Sequence, residues 1–427
     1  MSQLSLFPMT PEVPPLGHTQ ESLLGELRLF RTFGKATLTS YTKVVLSHGL
    51  TVQVPSFTNE FWTSGQRAAH SLHEISYRAC FKPQLPRFFV QRLTQPGSMV
   101  YDPFMGRGTT LLEAALLGRH VTGCDINPLA LALVRPRFSP PTLKAVAERL
   151  GAIDFTDHDE FPEELLVFYH PDTLREICSL KKYLLTVERE GLLDTVDDWI
   201  RMVTLNRLTG HSRGFLSVYT MPPNQAVSVQ SQRRINERRG QTPPRRALTQ
   251  IVLTKSASLL RDCDQESRAA LRRAKDSLVI LSKDAAHTPE IPDGSIQLVV
   301  TSPPFLDVVD YAADNWLRCW FIGINALSVP ISILKGLKEW VDKMKKVFQE
   351  LHRILTPGGY VAFEVGEIRG GRVRLEEQVI PAATSAGLAP VLVLINNQRF
   401  TKTANCWGVT NNVKGTNSNR VVLLRKA

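Results

Sequence analysis

The stretch Ser98-Met99-Val100-Tyr101-Asp102-Pro103-Phe104-Met105-Gly106-Arg107-Gly108-Thr109-Thr110 opens as a short apolar run and breaks into a turn carrying two glycines. Residues 111–117 that follow are Leu- and Ala-rich, and residues 120–125 return to strand character. Strand, glycine turn, helix and strand make a βαβ unit, which sets two parallel strands in one sheet. Ligands of open parallel sheets bind outside the carboxyl ends of the strands, so the turn at 102–110 is a candidate binding loop. Gly106 and Gly108 would let backbone N–H groups approach a ligand without an obstructing Cβ, and the helix start behind them favours a carboxylate. The third glycine of a dinucleotide fingerprint is missing, as is the Lys-Ser/Thr of a P-loop, so nicotinamide and ATP readings lose ground. Asp125, about twenty residues on, ends the second strand where an acid accepts hydrogen bonds from ribose hydroxyls. The pair predicts a nucleoside-containing cofactor.

A second such rhythm begins near Leu278. Residues 295–300 read as an apolar strand, 341–355 as a helix ending in Thr356-Pro357-Gly358-Gly359, and 360–365 as the next strand. Residues 390–395 and 420–424 supply two more. The fold class expected is α/β: a Rossmann-like, mostly parallel sheet with an antiparallel C-terminal strand and a large internal insertion. The expected organisation is an N-terminal arm or accessory segment over 1–65, with a helix near 21–33. A first half-domain over 66–150, an inserted target-recognition region over 151–277 and a second half-domain over 278–427 follow.

Thr301-Ser302-Pro303-Pro304-Phe305 directly follows the apolar strand. Two prolines remove two N–H donors and stiffen the backbone, leaving carbonyl oxygens as outward acceptors at the strand end. Such a ledge suits an NH₂ group: the Ser302 hydroxyl and the Pro303 carbonyl would accept from an exocyclic amine, with Phe305 stacked on its ring. The alternative is that Ser-Pro-Pro merely ends the strand.

Taken together, the two motifs resemble the amino-methylating DNA methyltransferases, which use S-adenosylmethionine to make N4-methylcytosine or N6-methyladenine. The resemblance covers about 70–135 and 280–427 and leaves the middle uncovered. It implies that Asp102, Phe104, Gly106, Gly108 and Thr109 belong to the cofactor loop, and that Asp125 with Asn127 forms the ribose-binding region. It further implies that Asp284 reads the cofactor adenine and that residues 73–86, with Tyr77, Phe81 and Pro83, cover the cofactor. Ser302, Pro303, Pro304 and Phe305 correspond to the catalytic tetrapeptide, whose serine form accompanies cytosine N4 methylation. An Asp- or Asn-Pro-Pro-Tyr form accompanies adenine N6 methylation. The family also implies a restriction-modification role, with a cognate endonuclease that need not form a stable complex.

Composition bounds the rest. With 427 residues, 43% apolar and 21% charged, the chain has enough apolar sequence for a full core, which excludes disordered and fibrous classes. Neither a membrane-spanning apolar run nor a signal-peptide layout after Met1-Ser2-Gln3-Leu4 is visible, so we expect a cytoplasmic location. Its six cysteines, Cys80, Cys124, Cys178, Cys263, Cys319 and Cys406, show no CxxC spacing, so neither a metal site nor a disulfide framework is expected.

The net charge of +11 suits an anionic partner, and its distribution is uneven. Residues 201–280 carry 15 basic and 5 acidic side chains, whereas 151–200 carry 4 basic and 13 acidic. Within the basic window Arg233, Arg234, Arg238, Arg239, Arg245 and Arg246 are expected to contact phosphates of double-stranded DNA, since arginine forks match phosphate oxygens. Residues 206–217 and 219–225 could meet base edges; 396–419, with Arg399, Lys402 and Lys414, is a second surface that could contact substrate, although it reads more readily as turn chemistry.

A paired base cannot present its amine to a cofactor, so the expected mechanism flips the target outward onto Phe305. Its amine then attacks the sulfonium methyl, and no covalent enzyme intermediate is needed. Asp307 and Asp310 could assist proton release, although helix-start acids are the simpler reading. Methylation of adenine, methylation of a structured RNA, and a non-catalytic nucleic-acid binder remain the competing readings.

Overall fold

In β3 (Met99–Asp102) and β6 (Ile296–Thr301) every residue is buried, as strands covered on both faces must be. These belong to a computed structural model that describes residues 20–46, 49–62, 69–77, 80–156, 161–221, 226–304, 311–330, 336–365, 367–368, 373–397 and 418–427. The other strands of the main sheet are β1 (Leu38–Val45), β2 (Thr51–Asn59), β4 (His120–Cys124), β5 (Val279–Leu281), β7 (Leu355–Val365), β10 (Leu388–Asn397) and β11 (Ser418–Lys426). A separate two-residue hairpin is formed by β8 (Glu367–Ile368) and β9 (Val373–Arg374).

The nine strands run in the order β1-β2-β10-β11-β7-β6-β3-β4-β5. β3, β4, β5, β6 and β7 are mutually parallel, and β11 lies antiparallel between β7 and β10. The expected Rossmann-like α/β sheet with its antiparallel C-terminal strand is therefore what the chain forms. The chain leaves β3 on one side toward β4 and on the other side reaches β6, so the switch in strand order falls at β3. That is where an open sheet leaves a crevice at its carboxyl edge.

Side-chain alternation feeds two cores. Val100, Leu298, Val300 and Ala362 join one, while Tyr101, Val299, Val361 and Phe363 join the other. The second core is closed by the helices Leu337–Ile354 and Glu376–Ser385 through Trp340, Phe348, Leu351 and Val379.

Inserted residues thicken the first layer. Pro171–Arg189, Thr195–Leu205, Val229–Arg239, Leu248–Leu260 and Gln265–Asp276 are helices, and Trp199, Leu248, Val252 and Leu259 share the core of Leu111, Leu133 and Val300. Their starts are written locally. Asp194 and Asp197 form a reciprocal capping box on Thr195–Leu205, and Ser228 caps Val229–Arg239.

Residues 38–59, expected within an arm, extend the sheet instead. β2 pairs in parallel with β10 in the register Ser56↔Val393, and β1 forms the outer edge. The expected helix near 21–33 is Gln20–Leu29, burying Leu23 and Leu27. Among the described residues no helix is long and apolar enough to cross a membrane, and no cluster of three His, Cys, Asp or Glu could hold a metal.

Candidate active site

The carboxyl ends of β3, β4, β5 and β6 surround one cavity enclosing about 1020 Å³ of atom-free space, its open mouth included. Its wall is reached by Asp102, Phe104, Gly106 and Thr109 from the first motif, Asp125 and Asn127 from the second strand end, and Asp284 after β5. Ser302, Pro303 and Pro304 line the same space, and Tyr77 and Phe81 close it from the preceding segment. Two sequence motifs 190 residues apart in the chain are thus adjacent, as the hydrogen bond from Thr110 Oγ1 to Val300 O at 3.0 Å shows directly. Phe305, Asp307 and Asp310 lie outside the described residues.

The glycine loop differs from the expected open cradle of N–H groups. Phe104 N donates to Asp102 Oδ1 at 3.1 Å, Met105 N to Cys124 O at 3.0 Å, Gly106 N to Asp125 Oδ2 at 2.8 Å and Gly108 N to Met105 O at 2.5 Å. The loop's donors hold the loop itself. What glycine supplies at 106 is a left-handed turn, φ 48°, whose missing Cβ would lie 3.3 Å from the Tyr77 ring. Gly108 is not among the residues lining the cavity; a Cβ there would meet Val134 at 2.7 Å, so it admits close packing of the helix behind the loop.

Two buried arginines bring Tyr77 into position. Arg107 donates to Ile75 O at 2.8 Å and His73 O at 3.4 Å, while Arg137, fully buried, donates to Leu133 O, Leu72 O and Arg107 O. Burial depresses the Arg137 guanidinium to about 9. The segment 72–75 is thereby tied to the glycine loop by its backbone carbonyls, a link that no local pattern announces.

Charge in the cavity is acidic. Burial raises the Asp102 carboxyl to about 7, against the hydroxyl of Thr301 at 2.6 Å and the N–H of Phe104, which favour the ionised form. Burial likewise raises Asp125 to about 6, although both oxygens accept backbone N–H groups, from Gly106 and Asn127. For Asp284 burial pulls upward, but the Lys343 ammonium and the Ala286 N–H hold its carboxyl below the ordinary range. Carboxylates left costly by burial favour a positively charged guest. A sulfonium and an α-ammonium are such groups.

The ledge is pinned at both ends. The Ser302 hydroxyl lies near enough to the carboxylate of Glu364 on β7 to favour its ionised form, and that carboxylate accepts from Asn419 Nδ2 at 2.6 Å. The Pro304 carbonyl accepts from the indole Nε1 of Trp340 at 3.0 Å. Glu364 is buried, and burial raises its carboxyl above the usual range. Sequence reasoning missed it, because a single acid in an apolar strand, Tyr360-Val361-Ala362-Phe363-Glu364-Val365, was the only signal.

The arginine cluster divides. Arg233, Arg234 and Arg238 are exposed on Val229–Arg239. Arg239 lies over the Tyr219 ring at 3.9 Å. Arg245 pairs with Glu176 at 2.5 Å and Asp172 at 3.7 Å, acids of the negative window, and Arg246 is fixed through its backbone to Thr173. The helix is tied to the segment that follows the Ser-Pro-Pro ledge. Just before it, Ala226 N donates to Asp314 O at 3.1 Å, and Trp316 Nε1 donates to Val227 O at 3.2 Å. Residues 222–225 and 398–417, both considered for base or substrate contact, lie outside the described residues; Asn396 is buried and caps Phe61 N at 2.7 Å.

Residues 37–135 match the model of the N6/N4 methyltransferases, described as DNA methylase. The chain is 22% identical over 329 residues to the type II methyltransferase M.BsoBI of Geobacillus stearothermophilus, covering 67% of this chain and 62% of that protein. It is 29% identical over 142 residues to the type II methyltransferase M.MvaI of Kocuria varians, covering 33% and 27% respectively. A shorter match, 36% identical over 63 residues and covering 14% of this chain and 18% of the other, is to the tRNA (guanine(10)-N2)-dimethyltransferase of Methanocaldococcus jannaschii. The chain spans less than two thirds of the length of each of these relatives.

Proposed function

We propose, since this chain belongs to the N4/N6 amino-methyltransferase family, that it moves a methyl group from S-adenosylmethionine to the exocyclic N4 amine of a flipped cytosine in double-stranded DNA. The observation that carries the reading is the shared cavity: Ser302, Pro303 and Pro304 face the same space as Gly106, Asp125 and Asp284.

When bound, the cofactor supplies an electrophilic methyl on a positive sulfur. Asp102 and Asp125 would meet its positive end and its ribose, Asp284 its adenine amine, and Tyr77 and Phe81 would exclude water. Ser302 Oγ and the Pro303 carbonyl would accept the two amine hydrogens and turn the nitrogen lone pair toward the methyl. The chain's own part would thus be chiefly the positioning of the amine against the methyl carried by the cofactor. The methylated amine then carries an extra proton. With the Ser302 hydroxyl near the Glu364 carboxylate, a proton passed to Ser302 Oγ would be matched by one passed from Ser302 to Glu364, which would become a neutral carboxylic acid.

The reading of cytosine over adenine rests on the serine form of the tetrapeptide at 302–305, whose hydroxyl can act as the acceptor for the amine. Arg233, Arg234, Arg238 and Arg239 would hold phosphates beside the site, with Arg245 and Arg246 shaping their loop. A role in restriction-modification, with a separate endonuclease, fits the type II names of the relatives. Adenine N6 methylation is the second reading, and the short match to a tRNA enzyme keeps RNA as the third.

Incubation with labelled cofactor and duplex DNA, followed by nucleoside analysis, tests the proposal. N4-methylcytosine is expected. Label in N6-methyladenine would transfer the site to the second reading, and label in structured RNA but not in duplex of equal length would support the third.

A further inference from the structure

Helix Leu337–Ile354 touches both halves of the site from one face. Trp340, 1% exposed, donates its indole N–H to the carbonyl of Pro304, and Lys343 binds the carboxylate of Asp284. Met344 lines the cavity beside them. Residues three and four apart on a helix share a side. Trp340 and Lys343 are separated by about 4.5 Å along the axis, so the helix acts as a short rigid spacer between the amine ledge and the acid assigned to the cofactor adenine.

The ledge needs such support. Two consecutive prolines leave Ser302-Pro303-Pro304 without N–H groups of their own at 303 and 304, so they cannot be anchored as donors. Anchoring must come through their oxygens and the serine hydroxyl. Glu364 faces the Ser302 end, and Trp340 takes the Pro304 carbonyl, which leaves the Pro303 carbonyl as the acceptor the ledge would offer to an amine. The indole thereby fixes the Pro304 carbonyl, in the peptide unit next to the one that presents the Pro303 oxygen.

We propose that Trp340 is a positioning residue for methyl transfer, acting through the Pro304 carbonyl to aim the acceptor ledge at the reacting amine. This rests on the function proposed above. It predicts a specific split: loss of the indole N–H slows the chemical step and leaves cofactor binding in place, because Asp102, Asp125 and Asp284 are untouched.

Two variants of the full chain test it. Trp340→Phe removes the donor while keeping an aromatic ring, and replacing Trp340 with its benzothiophene analogue removes only the N–H at nearly constant shape. Single-turnover methylation of duplex DNA should slow about ten- to hundredfold in both, as sub-ångström misplacement of reactants does. The dissociation constant for S-adenosylmethionine should stay within about twofold, since none of its proposed contacts changes. Wild-type rates in the benzothiophene variant would overturn the inference, as would a parallel fall in rate, cofactor affinity and melting temperature, which marks a packing role. A wild-type chain that binds cofactor and methylates no nucleic acid would sink the functional reading itself and this inference with it.

Discussion

The strand-end cavity and the inserted helical layer are both built on charge, and they use it in opposite ways. In the cavity, among the described residues, the buried Asp102 and the half-buried Asp125 have hydroxyl and N–H partners, so their negative charge stays costly and available to a guest. In the insertion much of the positive surplus is spent inside the protein. Arg201 pairs with Asp198 and Glu188, Arg245 with Glu176 and Asp172, and Arg268 donates to the carbonyls of Pro140 and Pro141. Net charge along a sequence therefore overstates the surface left for an anionic partner, while a lone carboxylate at a strand end understates its chemical weight.

The sharpest way to break that contrast is at the ledge. Ser302→Ala should lower turnover by about 10² to 10³, the scale of losing a positioned acceptor and proton path, with cofactor affinity kept. Glu364→Gln should do the same to a lesser degree. An unaltered rate in both would dismiss the ledge. Gly106→Val should weaken cofactor binding by about hundredfold or more in a calorimetric titration, because a β-branched residue is strained at φ 48° and its Cβ meets Tyr77. If Gly106→Val bound cofactor normally, the cavity would not be the cofactor site.

The acidic side of the contrast has a pH signature. Burial places Asp102 near 7 and Asp125 near 6 in the free protein. A positively charged ligand binds the ionised forms, so binding releases protons, and affinity is full above about pH 8 and falls as pH drops through 7 and 6. The dissociation constant should rise about tenfold or more between pH 8 and 5.5, following the linkage of one pH unit to a factor of ten per proton. A flat profile would mean that neither carboxylate meets positive charge. The smallest effect belongs to the arginines. Replacing Arg233, Arg234 and Arg238 with Gln should reduce the slope of log affinity against log salt by about 2 to 3, at about 0.9 per phosphate contact. Arg245→Gln, whose charge is already matched by Glu176, should scarcely move it.

These regions also differ in how much of them the sequence discloses. The βαβ unit at 98–125 and the Ser-Pro-Pro ledge are legible because their determinants are contiguous: a turn that needs glycine, a strand that must stop. The C-terminal strands were legible from apolar runs, and their pairing around β7 follows from the fold class. Glu364, Trp340, Arg107 and Arg137 were not legible, because each acts through a backbone oxygen or hydroxyl distant in the chain, and no residue pattern records such a partner. The hairpin at 38–59 stayed hidden for a related reason: its polar, exposed face reads as an arm until β10 is present beside it. Likewise Asp125 was expected to face ribose freely, yet it first organises the loop through Gly106 and Asn127.

That hairpin has a consequence for synthesis. Its parallel pairing with β10, and the Asn396 amide that caps Phe61 and Trp62, link groups 335 positions apart in the chain. A ribosome delivers this ribbon long before the strand that receives it, so the ribbon must wait, one edge unpaired, until β10 has emerged. Closure of the sheet's far border is then a late step in maturation, and nascent chains stalled before residue 388 should be the forms that engage chaperones.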